Sequence, residues 1–213
     1  MRKERLERFK EVVRNRQFDL TVILENVHDA HNIGAVLRSC ESVGIREIFV
    51  LYTEPQLSPD HIALGKRTSA GARRWVDVHY YTDIQACFEH VKRDYNRIFS
   101  THLEEESVSL YELDLTRSAA LLFGNERDGL SKEALSYSDG NFLIPQMGFV
   151  QNLNISVACA VSLYEAYRQR MKAGLYGKSG RKRKQQRDEL LAEYIRRHET
   201  GEKPRKARKI DPS

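Results

Sequence analysis

The chain has 213 residues, 40% of them hydrophobic and 31% charged, with a formal net charge of +5; this is one domain's worth of sequence with core enough to fold and room for an appended arm. No apolar run approaches the roughly 18 residues that span a bilayer, and the N-terminus is charged throughout, unlike a signal peptide. Cys40, Cys87 and Cys159 stand far apart without a C-x-x-C pair, which points to a reduced cytoplasmic protein rather than a disulfide or zinc framework.

The apolar periodicity predicts an amphipathic helix over residues 1–16, with Leu6, Phe9, Val12 and Val13 on one face. A buried strand follows at Leu20–Asn26, then a helix at Asn32–Gly44 closed by its glycine, then a strand at Glu47–Tyr52. A helical piece near His61–Ser69 leads to a strand at Trp75–Tyr81, a helix over about Asp83–Tyr95 and a strand at Arg97–Leu103. Ala119–Gly124 reads as a strand, Lys132–Tyr137 as a short helix, Asn141–Pro145 as the last strand, and the stretch from Asn152 to Ala173 as a long closing helix. Beyond it the composition turns polar, with a further helix around Gln185–His198 and a disordered tail over Gly201–Ser213. Strand and helix alternate, and the strands are apolar on both faces. This is the pattern of an α/β fold with a parallel sheet covered by helices. The boundaries expected are a basic N-terminal helix (1–16), a body (17–175) and a basic C-terminal extension (176–213).

Charge is unevenly spread. Residues 1–16 hold seven Lys and Arg against three Asp and Glu, residues 17–167 twelve against twenty-one, and residues 168–213 sixteen against six. An acidic body between two basic arms favours a polyanionic partner, RNA first, over two merely solvated termini.

The common nucleotide-binding signatures are missing: no G-x-G-x-x-G follows the first strand and there is no Walker A loop. His28–His31 (HDAH) holds two His and an Asp, but no further ligands cluster nearby, and solvated or capping roles suit it better than a metal. Three segments stand out instead. Glu25–Gly44 places Asn32 at a helix start and Arg38 six residues on, inside an otherwise apolar helix; such an Arg is costly to bury unless it is ion-paired or binds phosphate or ribose. Leu121–Ser131 (LLFGNERDGLS) ends a strand at Gly124, where backbone can approach a ligand, and sets Glu126 at the ligand edge of the sheet, either as a helix cap or as a working carboxylate. Phe142–Glu165 joins a strand to a buried helix through Gln146, Gln151, Asn152 and Asn154. A helix start with that many amides suits a neutral heterocycle plus a carboxylate better than a polyphosphate.

Together these segments resemble the three ordered motifs of the SpoU (TrmH) family of SPOUT RNA 2′-O-ribose methyltransferases. Asn32–Gly44 looks like the first motif, Leu121–Ser131 the second and Ile144–Glu165 the third; Thr68–Val76 (TSAGARRWV) fits between the first two, and the similarity runs over about residues 1–177. The resemblance implies a deep trefoil knot in the C-terminal part of the sheet, an exception to the rule against threaded chains. It also implies an obligate homodimer and S-adenosyl-L-methionine as methyl donor. The substrate implied is the ribose of guanosine-18 in the tRNA D-loop, with ribosomal RNA or another tRNA position, or a non-catalytic RNA-binding SPOUT protein, as the alternative. Carried over by position, Asn32, Arg38, Glu126 and Asn154 match the active-site residues. Thr101 and Gly124 fall near the methionine and ribose portions of the cofactor, Ile144, Gln146 and Leu153 near its adenine, and Asn152 is a further cofactor contact. The family more often has Ser where this chain has Asn152. RNA affinity is expected from Arg5, Arg8, Arg14 and Arg16 on the first helix and from Arg168 and Arg170 on the last helix of the body.

Overall fold

The computed structural model of the chain describes residues 2–57, 71–102, 107–149, 152–177 and 181–201, and the side chains of all of these except 181 and 182. Strands β1 (Leu20–Glu25), β2 (Glu47–Leu51) and β6 (Ala119–Phe123) are buried at every position, so both faces must be apolar. Strands β3 (Asp77–Tyr81), β4 (Ile98–Thr101), β5 (Val108–Ser109) and β7 (Gly140–Leu143) join them in a sheet of order β3-β2-β1-β6-β4-β7-β5. Every pairing is parallel.

Helices α1 (Lys3–Asn15), α2 (Ala30–Ser42), α3 (Ile84–Asp94), α4 (Lys132–Leu135), α5 (Ile155–Lys172) and α6 (Arg181–Thr200) complete the fold. On one face α2 and α5 cover Val22, Leu24, Val50, Leu121 and Phe142, and Cys40 and Cys159 are buried among them. On the other face α3 and α4 cover Ile23, Phe49, Leu51, Ala120 and Leu122. Asp29 and Asp83 cap α2 and α3 through the amides of His31 and Ala86, at 2.8 and 2.6 Å. The capping reading of the HDAH stretch thus describes Asp29, whose carboxyl the His31 amide and ring hold below the usual range.

The strands and helices among the described residues fall where the periodicity places them, with ends shifted by at most four residues. Strand β5 and the 3₁₀ turn Leu110–Glu112 were not expected, because two-residue strands leave no alternation to read. The helical piece near His61–Ser69 and the tail from residue 202 on lie outside the described residues, as does Gln151.

The terminal helices are not loose arms over their described lengths. Val13 of α1 packs with Leu190 and Tyr194 of α6. The Tyr194 hydroxyl donates to the carbonyl of Trp75 at 2.5 Å, and Arg197 of α6 meets Asp77 at 2.6 Å.

Two of the arginines expected to bind RNA are structural. Arg16 is 0% exposed and donates to the Ile45 carbonyl at 2.9 Å, with Glu41 at 3.3 Å. Arg170, also 0% exposed, donates through Nε to the Leu115 carbonyl (2.8 Å) and through Nη1 to Gln17 (3.0 Å) and the Asp19 carboxylate (2.6 Å). Its Nη2 reaches the carbonyls of Asp19 (3.2 Å) and Arg117 (2.8 Å). Arg170 has no donor left for a phosphate, and burial keeps one from Arg16. Sequence charge could not distinguish these two from Arg14 and Arg168, which are exposed.

Glu47, 4% exposed at the start of β2, is the acidic counterpart. Burial alone would raise its pKa, but His79 (2.9 Å) and Arg46 (2.5 Å) outweigh that and hold it at about 2, below the usual 4.5. The folded carboxyl is the stronger acid, so its stabilisation is complete above about pH 4.5 and is lost as pH falls towards 2. Glu47→Gln should therefore cost about 3 kcal/mol at pH 7. In urea unfolding across pH 7 to 2, the gap to wild type should close in acid; a gap independent of pH would refute the assignment.

Candidate active site

With all strands parallel, their C-terminal ends share one edge of the sheet, where α/β sheets present ligands. Register brings Leu24 beside Phe123, Ser100 beside Leu122 and Thr101 beside Phe142, so the segments after β1, β4, β6 and β7 emerge side by side.

Asn32, Glu126 and Asn154, remote in sequence, converge here. The Asn32 side-chain amide donates to Glu126 Oε1 at 2.6 Å. Asn154 Nδ2 donates to Asn32 Oδ1 at 3.2 Å and to Glu126 Oε1 at 3.4 Å. Asn154 Oδ1 caps α5 by accepting from the Ser156 amide at 2.9 Å and its hydroxyl at 2.6 Å. The question of why amides crowd this helix start has a direct answer at Asn154: one side chain ends the helix and reaches across to the other two motifs. The N-terminus of an 18-residue helix also favours the nearby Glu126 carboxylate.

Arg38 stays apart from this trio. It lies on α2 six residues beyond Asn32, about a third of a turn round the helix, with its side chain exposed. The expected cost of burying it therefore does not arise, and no carboxylate among the described residues pairs with it.

Of the residues expected near a cofactor, Thr101 closes β4 and donates through its hydroxyl to the Leu122 carbonyl at 3.3 Å. Gly124 follows β6, and Ile144, half-buried against the core, follows β7. Gln146 and Asn152 are exposed and Leu153 is half-buried. Three neighbouring strand ends thus offer backbone groups and uncharged amides, a donor set that suits a neutral heterocycle with a polar tail. The same loop carries Met147 and Phe149, 97% and 105% exposed.

Gly124 is glycine for a different reason from the one the sequence suggests. A Cβ there would lie 2.2 Å from the backbone of Gly129, so the loop's own return stroke already requires glycine at this position. Asn125 tightens the turn by accepting from the amides of Arg127 and Asp128, both at 2.8 Å. Sequence reading also passed over Glu25 and Ser131, whose side chains meet beneath the loop, and gave no role to Asn26. Asn26 holds a φ of +50° at the end of β1 and ties Thr53 by two hydrogen bonds. A buried carboxylate next to an Asn at a strand's C-terminal end was the available signal.

The SpoU rRNA Methylase family model matches residues 19–164. The tRNA (guanosine(18)-2′-O)-methyltransferase of Thermus thermophilus is 40% identical over 193 residues, covering 91% of this chain and 96% of that protein. Among solved structures, the TrmH/SpoU tRNA modifying enzyme of Aquifex aeolicus superposes with a TM-score of 0.75 at 32% identity, over 91% of this chain and 98% of that one. The SpoU methyltransferase AviRb of Streptomyces viridochromogenes, in complex with AdoMet, superposes with a TM-score of 0.65 at 25% identity, over 74% and 62%. The three motifs that meet at this sheet edge are those of a known group, and the chain belongs to the SpoU methylase family.

Proposed function

We propose that the protein transfers a methyl group from S-adenosyl-L-methionine to the ribose 2′-hydroxyl of guanosine-18 in the tRNA D-loop, in the cytoplasm. The observation that carries the reading is the hydrogen-bonded trio Asn32, Glu126 and Asn154, joining all three motifs at the ligand edge. Similarity to the Thermus enzyme over nearly its whole length supports the substrate, and the AdoMet complex of AviRb supports the cofactor.

The residues at the ends of β4, β6 and β7 would hold the cofactor, which would supply an electrophilic methyl group: its S–CH3 bond breaks to leave a neutral thioether as the O–CH3 bond forms, and the hydroxyl proton passes to water. The chain's own task is to bring a weakly acidic alcohol into line with that methyl group. Arg38, exposed and uncommitted, grips an RNA phosphate and orients the hydroxyl; a guanidinium is a poor proton acceptor, so positioning is the role it suits. Glu126 is fixed through Oε1 by two amides, which leaves Oε2 to face the substrate. Asn32 and Asn154 hold it there.

The knot and the homodimer belong to the same reading. Insertion of β6 between β1 and β4, and of β7 between β4 and β5, supports a chain threaded through its C-terminal part. Val157, Tyr164 and Met171 recur every seven residues along α5 and are each about half exposed, which supports a second copy of the chain covering that stripe. RNA affinity falls to the exposed Arg5, Arg8 and Arg14 and to Arg168, which Glu165 holds at 2.8 Å in the free chain.

Methyl transfer from labelled S-adenosylmethionine to an unmodified tRNA transcript, mapped by nucleotide, should give one product at the D-loop guanosine. Transfer only to ribosomal RNA would move the substrate, and transfer to neither would end the enzymatic reading. In that assay Arg38→Lys and Glu126→Gln should each lower kcat about 100-fold; near-normal turnover of Arg38→Lys would remove its bidentate role. Replacing Arg14 and Arg168 together with Ala should make the salt dependence of tRNA binding shallower by about two phosphate contacts. Arg170→Met should instead cost about 3–5 kcal/mol of stability by leaving the carbonyls of Leu115 and Arg117 and the side chain of Gln17 without their donor; the reverse pattern would refute the division. Tyr164→Asp should shift sedimentation from dimer to monomer, and an unchanged dimer would place the interface elsewhere.

A further inference from the structure

Glu25 is the most deeply placed ionisable group near the site, and nothing in the mechanism above uses it. It closes β1 with 0% exposure, and among the described residues no Lys or Arg pairs with it. A buried carboxylate without a cation is costly unless hydrogen bonds compensate. Here both oxygens are taken up by one residue: Ser131 donates its amide to Oε2 at 2.9 Å and its hydroxyl to Oε1 at 2.6 Å. The same hydroxyl oxygen accepts from the Ala134 amide at 3.0 Å and so caps α4.

What lies between β6 and Ser131 is the loop that carries Glu126. It is stiff within itself. Gly129 donates its amide to the Asn125 carbonyl at 3.1 Å, Asn125 Oδ1 closes the turn at Arg127 and Asp128, and the backbone crosses itself where Gly124 has no Cβ. A stiff loop moves as a body about its two attachments. One is the covalent continuation of β6; the other is the return stroke at Leu130 and Ser131, which Glu25 ties to the neighbouring strand. The angle at which Glu126 reaches Asn32 and Asn154 is then set from below by Glu25.

We propose that Glu25 is a positioning residue, its clamp on Ser131 holding the Gly124–Leu130 loop in the orientation that both the Glu126 contacts and the cofactor-side backbone at Gly124 require. The claim about turnover rests on the methyltransferase reading; the claim about the loop does not.

The test compares Glu25→Gln and Ser131→Ala, singly and together, with Glu47→Gln, which removes a buried carboxylate from the other end of the sheet. The full-length chain is used at a temperature where unfolding curves show every variant folded. Glu25→Gln should lower kcat about 10- to 100-fold with little change in KM for tRNA, and raise the Kd for S-adenosylmethionine several-fold by calorimetry. Glu47→Gln, destabilised but remote, should leave both values at wild-type levels. The double variant should be no worse than Glu25→Gln alone, because the two residues act as one clamp. Wild-type kcat and cofactor Kd in Glu25→Gln, or equal losses in Glu47→Gln, or additive losses in the double variant, would overturn the proposal. Where Glu25→Gln does not fold, Ser131→Ala carries the same comparison. If the wild-type protein methylates no RNA, the functional reading falls, and the cofactor Kd values alone decide whether Glu25 positions the loop.

Discussion

The guanidinium of Arg170 is the contact on which the placement of the site depends most. Buried at the C-terminal end of α5, it binds the segment leading into β1 through Asp19 and the segment leading into β6 through Leu115 and Arg117. Those are the two strands whose far ends deliver Glu25 and Glu126. The other end of the same helix is fixed by Asn154, within the site itself. Helix α5 is thus held at both ends by side chains that also hold other segments. Asp19, beside both Arg170 and Arg183, keeps its charge against the burial that opposes it, because those two cations hold its pKa low.

The parallel sheet turns this into function. Strands that all run one way must finish at one edge, so motifs nearly a hundred residues apart arrive together without any direct signal between them. The loops then do the fine placement. Asn125 and Gly129 shape one, Asn26 another, and each uses a backbone feature that few residue types permit. Glu126 is held through one carboxylate oxygen by two neutral amides, an arrangement that fixes its direction without neutralising its charge.

Much of this was legible in the sequence. The alternation of strand and helix, the continuous apolar runs at β1, β2 and β6 and the Gly after β6 gave the fold class and the site's edge. The trio was legible because Asn and Glu at strand ends and helix starts are neither core nor ordinary surface. Other features depend on tertiary contacts that local sequence does not report. Arg16 and Arg170 have the same side chain as Arg14 and Arg168, and only the packing of α1 and α5 against their neighbours decides which pair is buried. Gly124 was recognised as a point of close approach, but what approaches is Gly129, five residues later. Glu25 looked like the polar end of a strand, and its partner Ser131 lies over a hundred residues away. Arg38 was expected to be costly to bury because its sequence neighbours are apolar; the helix turns it outward.

The pairing of α1 with α6 bears on the thermodynamics of any RNA complex. Basic arms are usually imagined as flexible chains that order on contact, with the entropy loss and large negative heat-capacity change of coupled folding. Here Val13, Leu190 and Tyr194 already bury their apolar surface against one another, and Tyr194 and Arg197 are bonded to the segment around Trp75. The exposed cations on these helices are presented by a preformed surface. RNA association through them is therefore expected to be strong in its dependence on salt and weak in its dependence on temperature.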